Sequence, residues 1–378
     1  DLHSFPTRRS SDLHIGVVTR GAATDLAHAL DAAAALLAAA QGRALVWLGP
    51  GLSIQALRGA VAVADHVHAA VDSATSLVAS QSILAGQRRG RAAATLGEVR
   101  NRADFVVYWN VSPAERYPRF EQRFVAASNP KRDVMRVRVA AGASGESGAA
   151  QLLVNPADEL ATLALLRAIV LGQAQPRAAQ WQPVAALAAR LMQATYAVIV
   201  ADGEGDESDD TYGAMRAEAL IALAQALNGP TRAALITLRA GGNRNGVESL
   251  LSWQTGFPFS VDFAGGRPSF APERRGLKDL ASGRFSAALI CGDWRALPAW
   301  ARQSLVPRGV VAIGPRASES PVGAEIMIDT GIAGLHEGGT AYRMDDVPLP
   351  LAPLIDGPRS AVGTLDALAD CVAQRFRA

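Results

Sequence analysis

Residues 95–120 read TLGEVRNRADFVVYWNVSPAERYPRF, and this stretch decides the fold class. Its central run, FVVYW, is continuously apolar, which is typical of a strand buried on both faces of a parallel sheet. Charged residues lead into the run, and a turn and a Pro-containing helix follow it. A buried strand joined in this way to helices is the building unit of α/β proteins.

The same alternation of strand and helix extends along the rest of the chain. Further apolar runs that we interpret as strands begin at residues 44, 134, 152, 196, 234, 286, 310 and 325. Helices are predicted between them, among them 53–64, 215–227 and 297–305. Continuous apolar strands that alternate with helices predict parallel sheets covered by helices on both faces.

The length of 378 residues is enough for two domains at roughly 150 residues each. We predict two doubly wound, Rossmann-like α/β lobes at 14–172 and 184–335, joined by a linker rich in Gln, Ala and Pro. Residues 336–378 are expected to form a Pro-rich strap and a helix, and this segment is a candidate for returning to the first lobe. Residues 1–13, DLHSFPTRRSSDL, look like a translated sequencing adapter, and we expect them to be an artefactual extension.

Composition excludes several function classes. The chain is 49% apolar with a net charge of +2, so it can bury a large core but lacks the clustered Lys and Arg of a nucleic-acid surface. No apolar run reaches the roughly 18 residues of a membrane span. Cys291 and Cys371 share no metal-type or disulfide-type spacing, which favours two thiols in a cytoplasmic protein. Neither a zinc-hydrolase His pattern nor a Gly-x-Ser-x-Gly elbow occurs.

Two glycine-bearing turns follow strands, one at Gly49 and Gly51 and one at Gly203. Ligands of open α/β sheets bind beyond the carboxyl ends of the strands, so both turns are candidates for a nucleotide site. Neither completes the dinucleotide fingerprint GxGxxG, and the acidic run at 204–210 would repel phosphate. Ordinary strand-to-helix turns are therefore the favoured interpretation.

The loop at 238–246, LRAGGNRNG, offers glycines for close backbone approach and many side-chain donors. We name Arg239 as a candidate cleft residue and Gly241, Gly242 and Asn243 as candidate cofactor-binding residues. Two interpretations fit this composition equally well. The loop could bind a pyrophosphate, or it could be a polar loop that its own Asn side chains order.

Four segments together resemble the B subunit of formylmethanofuran dehydrogenase, a relative of the molybdopterin and tungstopterin oxidoreductases. They are the segments at 95–104, 112–119, 252–259 and 339–349. The resemblance covers nearly the whole chain after His14, and it implies the two-lobed fold of the molybdopterin oxidoreductases.

In metal-bearing members of this family, a Cys followed by a His meets the tungsten or molybdenum. The resemblance places Ala79 and Ser80 at these positions, as vestigial metal-ligand positions. A methyl group cannot ligate a metal. The family's Arg-Gly-His-Gly-Asn-like loop appears as RAGGN at 239–243, with Gly241 in place of the His. These departures predict no metal and no pterin on this chain. The family's iron–sulfur motif would lie before His14.

The pattern looks most like the bacterial version of the family, whose B subunit belongs to a formyltransferase/hydrolase complex. This resemblance implies a non-redox structural subunit in one-carbon metabolism, with formyl transfer from a methanopterin-type carrier and formate release carried out by partner subunits. Whether the chain itself is an enzyme stays open.

Two alternatives remain. The first is an active molybdenum or tungsten pterin oxidoreductase subunit with an iron–sulfur cluster, in which Ser80 replaces the missing metal ligand. The second is a free-standing α/β protein that binds a nucleotide or coenzyme. If the chain is a subunit, the segments 253–263 and 348–358 are candidate docking surfaces.

Overall fold

The computed structural model describes residues 16–126, 132–141, 150–204, 212–272, 274–306, 308–320, 323–357 and 359–377. The segment 1–13, expected to be artefactual, lies outside these residues.

The strands carry the apolar runs of the sequence. They are β1 Val17–Thr19, β2 Ala22–Ala23, β3 Ala44–Leu48, β4 Ala70–Ser73, β5 Phe105–Trp109, β6 Asp133–Val139, β7 Gln151–Val154, β8 Tyr196–Asp202, β9 Arg232–Leu238, β10 Val261–Asp262, β11 Ser269–Phe270, β12 Ala287–Cys291, β13 Gly309–Gly314, β14 Ile326–Asp329, β15 Gly339–Tyr342 and β16 Pro348–Leu351.

The helices between them begin mostly at Ser, Thr or Asp caps or carry Pro in the first turn, as helix starts favour. They are α1 Leu26–Ala39, α2 Ile54–His66, α3 Leu77–Arg89, α4 Leu96–Arg102, α5 Pro113–Arg116, α6 Glu159–Val170, α7 Gln182–Gln193, α8 Gly213–Leu227, α9 Arg244–Thr255, α10 Ala299–Leu305 and α11 Ala361–Arg377.

The chain divides into two compact units. One, here called the split unit, combines Asp1–Thr75 with Gly241–Ala378, and the other, the continuous unit, is Ser76–Ala240. The predicted lobes at 14–172 and 184–335 do not coincide with these units. The chain leaves the first sheet after β4 and rejoins it only at β10, and the alternation of strands and helices does not reveal which sheet a strand joins.

The split unit contains a nine-stranded sheet with the order β11-β10-β4-β3-β12-β13-β14-β1-β2. Its five central strands are parallel, while β10 and β1 pair antiparallel at the two sides. Alternate residues of each central strand enter cores on opposite faces. Helix α11 packs against α1 and α2, so the C-terminal segment returns to the N-terminal part of the chain, as expected.

The continuous unit contains a five-stranded, wholly parallel sheet with the order β7-β6-β5-β8-β9. The FVVYW run forms β5 at its centre. Phe105, Val107 and Trp109 enter the core that α6, α7 and α8 complete, and Val106 and Tyr108 are buried on the other face. This strand is buried on both faces as predicted.

Both sheets are doubly wound, which confirms the predicted fold class. The strand order reverses between β3 and β12 in the split unit and between β5 and β8 in the continuous unit. In open α/β sheets this reversal point is where the carboxyl ends of the strands leave a crevice for ligands.

Candidate functional site at the carboxyl ends of the strands

The continuous unit has a cavity of about 370 Å³ at its reversal point. Trp109 and Asn110 line it from the end of β5, and Asp202 lines it from the end of β8. Arg116 and Arg216 contribute two guanidinium groups to its wall. Such a mixture of aromatic and charged side chains suits a small polar ligand. Whether that ligand can be an anion depends on whether nearby carboxylates neutralise the two arginines.

Arg216 is held by a carboxylate buried beneath the cavity. Glu159 is 2% exposed, and both of its oxygens accept hydrogen bonds from Nε of Arg216 at 2.7 Å. The indole Nε1 of Trp109 donates to the same carboxylate at 2.8 Å. Glu159 is the first residue of α6, where the helix dipole also stabilises its negative charge. The positive charge of Arg216 is thereby balanced within the unit.

Arg116 is balanced by the carboxylate of Asp202 in the same way. Its Nη1 lies 3.3 Å from Oδ2 of Asp202, and the hydroxyl of Tyr117 donates to Oδ1. Burial and this hydrogen bond raise the pKa of Tyr117 well above its usual range, so the phenol stays protonated and remains a donor. Asp202 is therefore engaged by a cation and by a neutral donor.

Arg239, the candidate cleft residue, forms an almost fully buried ion pair. Its Nε lies 2.8 Å from Oε1 of Glu204, and the two side chains are 6% and 10% exposed. The backbone N–H of Ala240 donates to the same oxygen at 3.3 Å. Glu204 is the first residue of the acidic run predicted to repel phosphate. Its carboxylate binds the guanidinium of Arg239, where a phosphate could otherwise bind. Residues 205–210 of that run lie outside the described residues.

The preceding turn brings these groups together because only glycine fits at Gly203. A Cβ there would lie 2.5 Å from the carbonyl oxygen of Leu238. The hydroxyl of Ser76, the cap of α3, donates to the carbonyl of Gly203 at 3.2 Å. The start of α3 and the Arg239–Glu204 pair therefore border the same turn.

Ala79 and Ser80, the vestigial metal-ligand positions, lie in the first turn of α3. The side chain of Ala79 is 1% exposed, and its backbone N–H donates to the Ser76 hydroxyl at 3.1 Å. The hydroxyl of Ser80 donates to the carbonyl of Leu77 at 2.7 Å. A methyl group therefore occupies the first position. The second holds a hydroxyl that is hydrogen-bonded to the backbone of its own helix.

The glycine-rich loop that supplies Gly241, Gly242 and Asn243 belongs to the split unit. Gly242 has φ +82°, and a Cβ there would lie 2.5 Å from Cβ of Pro50. The amide of Asn243 donates to the carbonyl of Leu52 at 2.9 Å and accepts from the N–H of Tyr342 at 2.7 Å. These contacts match a loop ordered by its own Asn side chains. The cofactor-binding role of the three residues stays a prediction.

The reversal point of the split unit is filled by backbone. Gly292 has φ +91°, and a Cβ there would lie 2.7 Å from the carbonyl oxygens of Gly49 and Pro50. The N–H of Asp293 donates to the carbonyl of Pro50 at 2.8 Å. A Cβ on Gly314 would lie 2.4 Å from the carbonyl oxygen of Gly292. The loops after β3, β12 and β13 therefore pack directly on one another where a ligand would bind.

Sequence reasoning misses the roles of Glu159, Arg216, Gly292 and Gly314. The local pattern identifies Glu159 only as an acid in a first helical turn. Its partners are 50 and 57 residues away in the chain, and no local pattern joins them. A signal does exist for the glycines, since Gly292 and Gly314 both occur at the end of a predicted apolar strand.

The described side chains offer little to a metal ion. Within the described ranges, no group of three or more His, Cys, Asp or Glu side chains could hold one. Cys291 and Cys371 are both free thiols. Burial raises the pKa of Cys291 far above its usual range, which disfavours the thiolate that a metal needs. In the same ranges, every helix is too short or too polar to span a membrane.

No family model matches the chain. The chain is similar to the B subunit of tungsten-containing formylmethanofuran dehydrogenase 2 from Methanocaldococcus jannaschii, with 30% identity over 323 residues, or 80% of this chain and 72% of that protein. It is also 30% identical, over 335 residues, to the B subunit of the formyltransferase/hydrolase complex Fhc from Methylorubrum extorquens, and this match covers 86% of this chain and 87% of that one.

One solved structure is similar along nearly its whole length. It is the crystal structure of the formyltransferase/hydrolase complex FhcABCD from Methylorubrum extorquens in complex with methylofuran. The TM-score is 0.79 at 26% sequence identity, and the match covers 96% of this chain and 100% of the other. The similar proteins thus include both a tungsten enzyme subunit and a transfer and hydrolysis complex.

Proposed function

This chain belongs to the family of formylmethanofuran dehydrogenase B subunits, and on that premise we propose that it is the B subunit of a formyltransferase/hydrolase complex in one-carbon metabolism. In this role it is a non-redox structural subunit. Partner subunits transfer the formyl group and release formate. The observation that carries the proposal is the buried methyl group of Ala79 at the position where the family's metal ligand is expected.

The residues present do not fit the metal–pterin cofactor that the wider family implies. Ala79 has no lone pair, and Ser80 donates its hydroxyl proton to the helix backbone. Arg239, which could anchor a phosphate, is already paired with Glu204. The loops around Gly292 pack on one another at the reversal point of the split unit, where a ligand of such a sheet would bind. We therefore propose that this chain carries no metal and no pterin.

The test is to purify the chain together with its partner subunits and to measure both metals and activity. We expect formyl transfer and formate release from the complex, with molybdenum and tungsten far below one atom per copy of this chain. When this chain is left out, we expect the complex to assemble poorly. The chemistry of the partner subunits themselves should be unchanged. One atom of either metal per chain, retained through gel filtration, would contradict the proposal.

The oxidoreductase alternative depends on Ser80 as a metal ligand. It predicts viologen-linked oxidation of a formyl substrate that is lost in Ser80→Ala. Because the Ser80 hydroxyl is hydrogen-bonded within α3, we expect neither the activity in the parent complex nor an effect of the substitution.

The coenzyme-binding alternative has one favouring observation, the cavity of about 370 Å³ in the continuous unit. Its two arginines are balanced by carboxylates, so its wall carries little net positive charge for phosphates. Thermal unfolding of the purified chain with millimolar ATP, NAD or guanosine diphosphate distinguishes the alternatives. We expect no shift in Tm, whereas a saturable rise would favour a free-standing binding protein.

We also propose a cytoplasmic location, since the two cysteines are free thiols and a reducing compartment preserves them. Fractionation of the source cells with antibodies against the chain tests this location.

A further inference from the structure

Strands β15 and β16 form a hairpin with a two-stranded sheet of its own, in which Thr340 faces Pro350 and Tyr342 faces Pro348. An isolated two-stranded hairpin is marginal in water. The structure around it must therefore supply the anchoring.

One edge of the hairpin is anchored by side chains. The N–H of Thr340 donates to Oε1 of Gln55 at 2.9 Å, and the N–H of Tyr342 donates to the amide oxygen of Asn243 at 2.7 Å. Asn245 donates to the carboxylate of Asp346 in the connecting turn at 2.8 Å. The two outward N–H groups of β15 are thus both bound within the split unit.

The other edge, along β16, faces outward and lacks donors. In an antiparallel pair, residues opposite one another either bond each other or both direct their N–H and C=O away. Thr340 and Tyr342 direct their N–H groups away from β16, so Pro350 and Pro348 occupy the outward positions of β16. Proline has no N–H, and this edge therefore offers carbonyl acceptors without donors. Such an edge disfavours the addition of a further strand, because only its carbonyls can take part in the pairing.

The residues that follow expose an ordered apolar surface. We define the strap as residues 348–355, with the sequence PLPLAPLI. The exposed fractions are 39% for Leu349, 75% for Leu354 and 48% for Ile355. The backbone is held in place, because the N–H groups of Leu354 and Ile355 both donate to the carbonyl of Leu335 at 2.9 and 3.1 Å. A run of exposed apolar side chains on a fixed backbone, with no charge among them, has the composition of an interface core.

The other docking candidate from the sequence, 253–263, presents much less. Trp253 is 56% exposed, but Phe259 and Phe263 are buried and Val261 pairs in the sheet. This segment packs mainly on its own sheet.

We propose that the strap is the surface through which this chain docks onto another subunit of its complex. The inference rests on the function proposed above. The partner offers an apolar groove with side-chain N–H or O–H donors, such as those of Trp, Tyr or Asn, which reach the proline carbonyls at the rim. Docking occurs through side chains and not by strand addition. Three prolines in eight residues restrict the free strap, so little conformational entropy is lost on binding.

The test uses the full chain co-expressed with the other subunits, with the double substitution Leu354→Glu and Ile355→Glu. Both side chains are exposed, so the isolated variant should keep the parent Tm. We expect its affinity for the partner subunits to fall by about 30-fold, as for the loss of a hot spot. The matched control is Met215→Glu, an apolar residue 54% exposed in the continuous unit, which should leave the affinity within about twofold.

A second variant tests the mode of docking. Pro348→Ala with Pro350→Ala restores two outward N–H groups, and we expect an affinity within about threefold of the parent, because side chains make the contact. A gain of about tenfold would mean that a partner strand adds to β16, and it would overturn the proposed mode.

The remaining outcomes are separable. If the parent assembles with its partner subunits and the Leu354→Glu/Ile355→Glu variant assembles equally well, the strap proposal is overturned and the proposed function stands. If the parent chain alone sediments as a dimer and this variant as a monomer, the occupant is a second copy and the proposal is wrong. If the parent does not assemble with those subunits at all, the proposed function fails and the strap proposal fails with it.

Discussion

Removal of one member of the Arg239–Glu204 pair should cost far more stability than removal of both. The side chains are 6% and 10% exposed and their charged atoms lie 2.8 Å apart. Glu204→Leu leaves a guanidinium buried without this carboxylate, Arg239→Met leaves the carboxylate without this guanidinium, and breaking a buried pair in either way costs about 3–5 kcal/mol. Replacing both residues, as Glu204→Leu with Arg239→Met, removes both charges, and we expect the double variant within about 1 kcal/mol of the parent.

The measurement is urea unfolding of the parent, the two single variants and the double variant, with linear extrapolation to water. For a unit of this size, a loss of about 3 kcal/mol corresponds to a fall in Tm of about 6–12 °C. If each single variant costs about 3 kcal/mol or more and the double variant about 1 kcal/mol or less, the coupling energy of the cycle should be about 5 kcal/mol or more, above the usual range for residues in contact.

A surface pair in the same unit supplies the control. Arg136 and Glu121 are 50% and 34% exposed, and Glu121→Ala should cost less than about 1 kcal/mol. If Glu204→Leu costs no more than Glu121→Ala, or if the double variant is as unstable as the two single variants combined, the reasoning about a buried, self-neutralised site is refuted.

Three further predictions concern single residues. Gly292→Ala should cost about 1–3 kcal/mol through its left-handed backbone alone and more through the 2.7 Å approach to two carbonyl oxygens, measured by urea unfolding. Hydrogen bonds from Thr95 lower the pKa of Glu98 below its ordinary value of 4.5. The stability that the carboxylate contributes is therefore present above pH 4.5 and disappears as the pH falls through the lowered value, so Glu98→Gln should be less stable than the parent only above that range. Burial lowers the pKa of His336 below 6.5, so its neutral form is favoured in the folded chain and stability should fall as the pH drops from about 7 towards 5. His336→Gln should flatten that decline, as judged by Tm across the same pH range.

For each of these three predictions, one experimental result would contradict the reasoning. A Gly292→Ala variant as stable as the parent would mean that the loops at the reversal point do not close on one another. An unchanged acid profile in Glu98→Gln would remove the hydrogen bonds between Thr95 and Glu98 at the start of α4 as a source of pH dependence. A decline across the same neutral to mildly acidic range that persists in His336→Gln would assign it to another group.

The sequence is sufficient to predict those strands and helices whose signals lie in residues close together in the chain. The FVVYW run predicts a doubly buried strand, and it is the central strand of a parallel sheet. The helices expected at 53–64 and 215–227 occur as α2 and α8. Such elements can be predicted because the periodicity of apolar residues and the capping residues lie within a few positions of one another.

The partners of the candidate site residues could not be predicted. Arg239 is bound by Glu204, 35 residues away, and Asn243 bonds Tyr342, 99 residues away. Residue type alone makes Asn243 a candidate for a cofactor site, and its side chain is engaged by other parts of the same unit.

By itself, the sequence determined the α/β class, the positions of most strands and helices, and the absence of a sulfur or nitrogen donor at Ala79. These follow from side-chain chemistry and short-range pattern, which the order of residues states directly. Only the tertiary structure decided which sheet each strand joins, which carboxylate neutralises each arginine, and which edge of the C-terminal hairpin faces outward. Those outcomes depend on contacts between residues far apart in the chain, and such contacts exist only once the chain has folded.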